Sequence, residues 1–283
     1  MDITPLWLVV NAASGSNSDA AVDGVIAALH DAGLGPARTV RFPDEDLPTR
    51  ETLEQAGVAT LAVFTGDGTI NTASTGIEGW GGTVLVLPGG TQNLLSKTLH
   101  GDVPPIDVIA AVAAGRGQKE RLRVIRTSQG TSLVEVLAGP GAMWADVREG
   151  VRDLDLGAIA ETFATAWRET TDGPGVRLAD PAVGKDEGYR AVRIAPSGAQ
   201  VLAEGYDFED LGQFAAQGFA MLVKRDFRQG PHDDLGHFDR VTCHSDSPIA
   251  LMIDGERRHG GTREDFVCEE FDLDFLTTKA GGD

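Results

Sequence analysis

Apolar positions along the first third of the chain fall into short continuous runs separated by amphipathic stretches. That pattern predicts strands buried on both faces with helices packed between them. Leu6 to Val10 is the first such run, and it passes into Asn11-Ala12-Ala13-Ser14-Gly15-Ser16-Asn17, a turn of small polar residues. Ser18 stands where a helix N-cap is needed, and Val22, Val25, Ile26 and Leu29 share one face of a helix that ends at Gly33. Ala37 to Phe42 predicts a second strand, Thr49 to Ala56 a second helix, and the run from Val58 a third strand. Helix from Ile70 to Glu78, strand from Thr83 to Leu87, and helices from Asn93 to Leu99 and Ile106 to Ala114 follow. Strand and helix thus alternate as in a parallel sheet with helices on both faces.

Past Gly115-Arg116-Gly117-Gln118 the period shortens. Leu122, Val124 and Ile125, then Leu133, Val134 and Val136, suggest strands between Glu120 and Val151. An amphipathic helix is expected over Val151 to Glu169. Strands are expected at Tyr189–Ile194, Gln200–Gly205, Phe219–Val223, Asp239–Cys243 and Ile249–Ile253. The stretch Thr171 to Gly188, rich in Pro, Gly and Asp, predicts a loop. The expected division is an α/β domain over 1–117, a mainly β sandwich over 118–262, and a C-terminal segment over 263–283.

Two glycine-rich turns carry the candidate chemistry. Val58-Ala-Thr-Leu-Ala-Val-Phe64 stops at Thr65-Gly66-Asp67-Gly68-Thr69, and Val84-Leu-Val-Leu87 stops at Pro88-Gly89-Gly90-Thr91-Gln92-Asn93. Each turn leads into helical sequence. Glycines admit a close approach of main chain to an anion, and helix N-termini offer N–H donors, so the pair suggests a phosphate site. Asp67, a carboxylate between two glycines, suits a site that also holds a metal ion or a reacting hydroxyl. A two-residue Asp-Gly hairpin is the competing reading at Asp67, but it needs antiparallel strands, and helical sequence follows here. Asp254-Gly255-Glu256, after the apolar run Ile249–Ile253, has by itself the form of a hairpin turn.

Taken in order, Asn11-Ala-Ala-Ser14-Gly15, Gly66-Asp67-Gly68-Thr69, Pro88-Gly89-Gly90-Thr91-Gln92-Asn93 and Asp254-Gly255-Glu256 resemble the motifs of the diacylglycerol kinase catalytic-domain family. Sphingosine kinases, ceramide kinases and soluble bacterial lipid kinases are among its members. The resemblance implies an α/β nucleotide domain, a β-sandwich second domain and a C-terminal tail that returns to the first. It implies a kinase that uses ATP and Mg²⁺ to phosphorylate a lipid hydroxyl. Asn11, Ser14, Gly15 and Thr39 would line the nucleotide. Thr65, Gly66, Gly68, Thr69 and Asn71 would cradle its phosphates, with Gly90 and Thr91 on the second turn and Asn93 bracing the two turns. Asp67 would hold Mg²⁺ or take the acceptor's proton; Glu256 is the other candidate base, supported beside the nucleotide by Asp254. Asp146, in a segment similar to the one that grips the amino-alcohol head in sphingosine kinases, would bind substrate. Asp234 is the nearest match to a structural Mg²⁺ ligand of bacterial relatives. Many members have glycine, glutamate and aspartate where this chain has Thr65, Thr72 and Leu94. The rival functions are an NAD kinase-like soluble kinase, a non-catalytic relative that binds nucleotide or lipid, and a kinase for a soluble, non-lipid alcohol.

Whole-chain numbers narrow the partners. At 283 residues and 41% hydrophobic content the chain is long enough for two cores. A net charge of −19 excludes nucleic acid as a partner and opposes an anionic membrane face, so either contact with the membrane is local, apolar and transient, or a lipid substrate leaves the bilayer readily, or that substrate carries a positive group. No apolar run reaches the roughly 20 residues of a membrane helix, and the N-terminus lacks the pattern of a signal peptide. Cys243 and Cys268 are read as reduced residues of a cytoplasmic protein, peripheral at most to a membrane. A homodimer is left open.

Overall fold

The computed structural model of the chain describes residues 2–11, 18–140, 174–207 and 232–279. The chain divides into two compact units: Met1–Leu122 with Glu270–Asp283, and Arg123–Glu269. The expected helix over Val151–Glu169, the expected strand at Phe219–Val223, and the site residues Ser14, Gly15 and Asp146 lie outside the described residues.

The first unit opens with β1 (Leu6–Asn11), α1 (Asp19–Asp31), β2 (Arg38–Phe42), α2 (Arg50–Gln55) and β3 (Thr60–Thr65). It continues with α3 (Asp67–Thr75), β4 (Thr83–Pro88), α4 (Leu94–His100) and α5 (Pro105–Ala113). The helix starts follow local chemistry. Ser18 caps α1 by accepting from Ala21 N, and Thr49 caps α2 by accepting from Thr52 N. Pro105 occupies the first position of α5, where its missing N–H costs nothing. The strands lie parallel in the order β2-β1-β3-β4, with Leu8 opposite Thr39 and Ala62, and Thr65 opposite Pro88. One face packs Leu6, Leu8, Val10, Phe64 and Leu87 against Val22, Val25 and Leu29 of α1 and Val108 and Val112 of α5. The alternate residues Val9, Leu61, Val63, Val84 and Val86 are buried as well, so both faces are covered.

A fifth strand completes this sheet from the far end of the sequence. β15 (Arg263–Thr277) belongs in its second half to the first unit, where Asp274 and Phe275 pair parallel with Thr83 and Val84 of β4. Its Phe271, Leu273, Phe275 and Leu276 are buried.

The second unit is antiparallel. β7 (Val136–Ala138), β9 (Ala191–Ser197), β10 (Gln200–Tyr206), β11 (Asp233–Phe238), β13 (Ala250–Ile253) and β14 (Glu256–His259) form one sheet, ordered β11-β10-β9-β7-β13-β14. Opposite it, β12 (Arg240–His244) pairs with β8 (Arg177–Asp180) and with the first half of β15. There too, the later part of β5 (Gln118–Thr127) pairs with β6 (Gly130–Ser132). Val136, Val192, Ile194, Val201 and Leu251 meet Leu178, Val241, Cys243 and Phe266 in one core, the interior of a sandwich. β8 corrects the reading of 171–188 as loop throughout: Arg177–Asp180 is a short strand whose Leu178 points into that core.

Candidate functional site

The two glycine turns sit at the same edge of the first unit's sheet. Parallel register puts the carboxyl ends of β1, β3 and β4 side by side, at Asn11, Thr65 and Pro88. Strand order reverses between β1 and β3. Crevices at such switch points are where open parallel sheets bind ligands. One hydrogen bond spans this point: Asn11 Nδ2 donates to Thr69 Oγ1 at 3.1 Å.

The first turn is a strand-to-helix turn, so the hairpin alternative at Asp67 does not hold. Gly66 is the N-cap of α3 and, having no side chain, makes no capping hydrogen bond. A helix of nine residues then begins at Asp67, where a negative side chain is favoured by the helix dipole. Thr65 is buried, and its hydroxyl donates to Gly66 O. Thr72 and Thr75 turn their hydroxyls back onto the helix, to the carbonyls of Gly68 and Asn71. Gly68, Thr69 and Asn71 are half-buried on the first two turns of α3.

The second turn is closed by Asn93. It holds a left-handed conformation, φ 53°, which asparagine tolerates better than most residues. Its side chain reaches back over its own turn: Oδ1 accepts from Gly90 N at 2.7 Å, and Nδ2 donates to Gly90 O at 3.0 Å. So Asn93 braces one turn rather than two. Asn93 therefore does not cap α4 with its side chain. That duty falls to Asp67, whose Oδ1 accepts from Leu95 N at 3.2 Å. Asp67 is thus the tie between the turns, and the bond fixes where its carboxylate points. A carboxylate has about four lone-pair positions, so this bond does not exhaust it.

Glycine is required at 89 and 90 by the turns themselves. A Cβ at Gly89 would stand 2.8 Å from Thr65 N, and one at Gly90 would stand 2.6 Å from Gly66 Cα. The two backbones are pressed together, which places the start of α3 beside the start of α4. Thr91 is exposed on this turn. Thr39 is not at this edge. It pairs with Leu8, three residues before Asn11, so it lies about 10 Å back along the strands.

In the second unit, Asp254 has a different task from the one expected. With Gly255 it forms the two-residue hairpin turn between β13 and β14, at φ 47° and 90°. Asp254 is buried. Its carboxylate accepts from Ser132 Oγ at 2.7 Å and from the backbone N–H groups of Leu133, Val134 and Glu135 at 2.6, 3.0 and 3.1 Å. Four donors on one carboxylate secure the 132–135 segment; they are not a nucleotide contact. Glu256, two residues on, is exposed at the start of β14.

Asp234 was expected as a metal ligand. It lies on β11 and accepts from Gly236 N at 3.1 Å, closing a local turn beside a bulge. Among the described residues no group of three His, Cys, Asp or Glu side chains gathers to hold a metal. Asp67 alone of the expected ligands stands at the glycine turns.

Two hollows open in the first unit. The larger, about 500 Å³, lies at the opposite end of the strands, by Val58, Ala59 and Thr83. In its lining Glu54 pairs with Arg50 and Lys119 with Asp274. The smaller, about 320 Å³, adjoins the second turn at Pro88 and Asn93.

Comparison with known proteins agrees with this geometry. Residues 5–127 match the family model of the diacylglycerol kinase catalytic domain. No curated protein matches. Three solved structures from Bacillus anthracis str. Sterne, named as diacylglycerol kinases and two of them provisionally so, share the fold. One is 15% identical with a TM-score of 0.63, over 96% of this chain and 94% of that one. The others are 14% and 16% identical with TM-scores of 0.59 and 0.62, each over 96% of both chains. At such identity the likeness shows the fold, and the matched segment is the one that holds the two glycine turns. Over residues 5–127, less than half of its length, the chain is similar to the diacylglycerol kinase catalytic domain.

Proposed function

We propose that the protein transfers the γ-phosphate of ATP to a lipid hydroxyl. The observation that carries this reading is the tie between the turns. One carboxylate, Asp67, begins an α3 that no side chain caps and also holds the N-terminus of α4. The residues present fit a metal-bound triphosphate. Backbone donors at a helix start suit phosphate oxygens, and a hard oxygen ligand fixed beside them suits Mg²⁺. When bound, ATP with Mg²⁺ supplies the phosphoryl group and offsets its charge. In this reading Gly66, Gly68 and Thr69 hold the phosphates, and Asn11 orients Thr69. Asp67 positions the metal. The acceptor's proton goes to Asp67 or to Glu256, the second of which is exposed and has the chemistry of a general base. Thr65 contributes through its backbone, since its side chain is buried. The acceptor class, diacylglycerol or a sphingoid-type alcohol, is the one that the similarity of residues 5–127 supports.

Asp67→Asn is the informative variant. It keeps an oxygen for Leu95 N, so α4 stays capped, but removes the charge. The expected result is a folded protein with normal melting and phosphotransfer reduced by at least about a hundredfold. Labelled ATP offered with diacylglycerol, with a sphingoid base and with NAD reads both the reaction and the acceptor. Wild-type rates in the variant would refute the role of Asp67. Transfer to NAD with none to lipid would refute the lipid reading.

A further inference from the structure

The end of the loop after α4 and the first turn of α5 are where the described surface turns apolar. Val103 and Ile106 are the large hydrophobic side chains that stand exposed among the described residues, at 37% and 57%. Pro104 between them is exposed too and Pro105 half-buried, so Val103-Pro104-Pro105-Ile106 forms an apolar tip. The tip is anchored on both sides. Val103 N donates to Gly101 O at 3.0 Å, while Val108 and Ile109, just beyond, are buried in the first unit. The two prolines fix the backbone and remove two N–H donors that water would otherwise satisfy.

Position and charge narrow what such a tip meets. The 320 Å³ crevice runs from Pro88 and Asn93 on the second turn to Val103, Pro104 and Pro105, so the tip is continuous with the candidate site. Its polar flanks are acidic: Asp102 and Asp107 are exposed, and the nearby cation, Lys97, is paired with Asp102 at 3.6 Å. With −19 on the whole chain, an anionic lipid surface is repelled. An electroneutral surface is not, and it accepts apolar side chains.

We propose that the Val103–Ile106 segment is the point at which this protein rests on an electroneutral lipid bilayer. Val103, Pro104 and Ile106 enter the headgroup layer, Asp102 and Asp107 stay in water, and the edge of the sheet bearing Asp67 is held at the interface. This rests on the lipid-kinase reading for its purpose but not for its test. The full chain, without nucleotide, is sedimented with phosphatidylcholine vesicles. The wild type is expected to bind, and the double variant Val103→Asp, Ile106→Asp to bind about tenfold or more weakly. Both sites are exposed, so the fold should tolerate the change, and an unchanged melting curve is the control. Replacing part of the phosphatidylcholine by phosphatidylserine is expected to weaken binding. Three results would overturn the proposal: no wild-type binding, equal binding by the variant, or tighter binding on phosphatidylserine. So would loss of self-association in the variant with vesicle binding intact, which would mark the tip as a contact between copies. Phosphotransfer to a short-chain, water-dispersed acceptor, run in parallel, should be unaffected by the variant. If no acceptor is phosphorylated at all, it is the lipid-kinase reading that fails, and the vesicle result stands on its own.

Discussion

A single methyl group at residue 90 decides whether the two turns can meet. A Cβ there would approach Gly66 Cα to 2.6 Å, and Gly66 is backbone with no side chain to swing aside. Gly90→Ala should therefore push the turns apart and destabilise the protein by about 1–3 kcal/mol. Gly81→Ala is the matched control, because a Cβ at Gly81 meets nothing within 4 Å. Urea unfolding of the two variants checks this: equal stability would mean the contact yields without cost. The glycines were legible in the sequence as a sign of close approach, but not what approaches. They read as room for an anion, whereas at 89 and 90 the neighbour is the other turn. Asp254 was misjudged for a related reason. Its Asp-Gly-Glu setting is local, while the Ser132, Leu133, Val134 and Glu135 donors that claim it lie about 120 residues earlier and leave no local trace.

Among the elements, α4 carries the second turn at one end and is held by the C-terminal segment at the other. Leu99 O accepts from Thr277 Oγ1 at 2.6 Å and from the backbone N–H groups of Thr278 and Lys279. His100, buried beside it, shares a hydrogen bond with Thr278 Oγ1 through Nδ1. Burial pushes the His100 imidazole from 6.5 down to about 4, against a smaller opposing pull from the Val86 carbonyl. The folded value lies below the unfolded one, so the unfolded chain binds the extra proton first. The stability tied to neutral His100 is present in full above pH 6.5 and is lost as pH falls toward 4. That loss is on the order of 3 kcal/mol. His100→Gln removes the titration, so the variant's unfolding free energy should fall less steeply than the wild type's between pH 7 and pH 4.5. Parallel slopes would show that His100 takes its proton without cost. The alternation from β1 to α5 was legible because each parallel strand is a continuous apolar run and each helix has one apolar face. β15 was not. Phe271, Leu273 and Phe275 alternate as a strand requires, but Asp272 and Asp274 lie between them and Glu264, Asp265, Glu269 and Glu270 before them, and acidic residues argue against strand. Part of that charge is met in the first unit by Lys119, 3.2 Å from Asp274, and by Arg121, 2.8 Å from Asp272.

At the scale of the whole molecule, the stretch that matches the family model lacks one strand of the sheet it belongs to. Residues 5–127 hold both glycine turns, yet β4 lacks a neighbour on one side until β15 returns from residue 270 onward. Without it, Val84 and Phe275 lose each other, and the buried Phe271, Leu273 and Leu276 are missing from the first unit's core. At roughly 2 kcal/mol for each of the four side chains, the loss is about 8 kcal/mol. That is as large as the entire stability of an ordinary domain. The exposed edge of β4, apolar and unpaired, would also invite aggregation. A fragment of residues 1–122 should therefore show no cooperative thermal transition and should sediment as aggregate. The same fragment joined through a flexible Gly/Ser linker to residues 270–279 should recover a cooperative melt and bind nucleotide. A cooperative melt in the bare fragment, close to that of the full chain, would show that β15 is an accessory to the first unit and not a part of it.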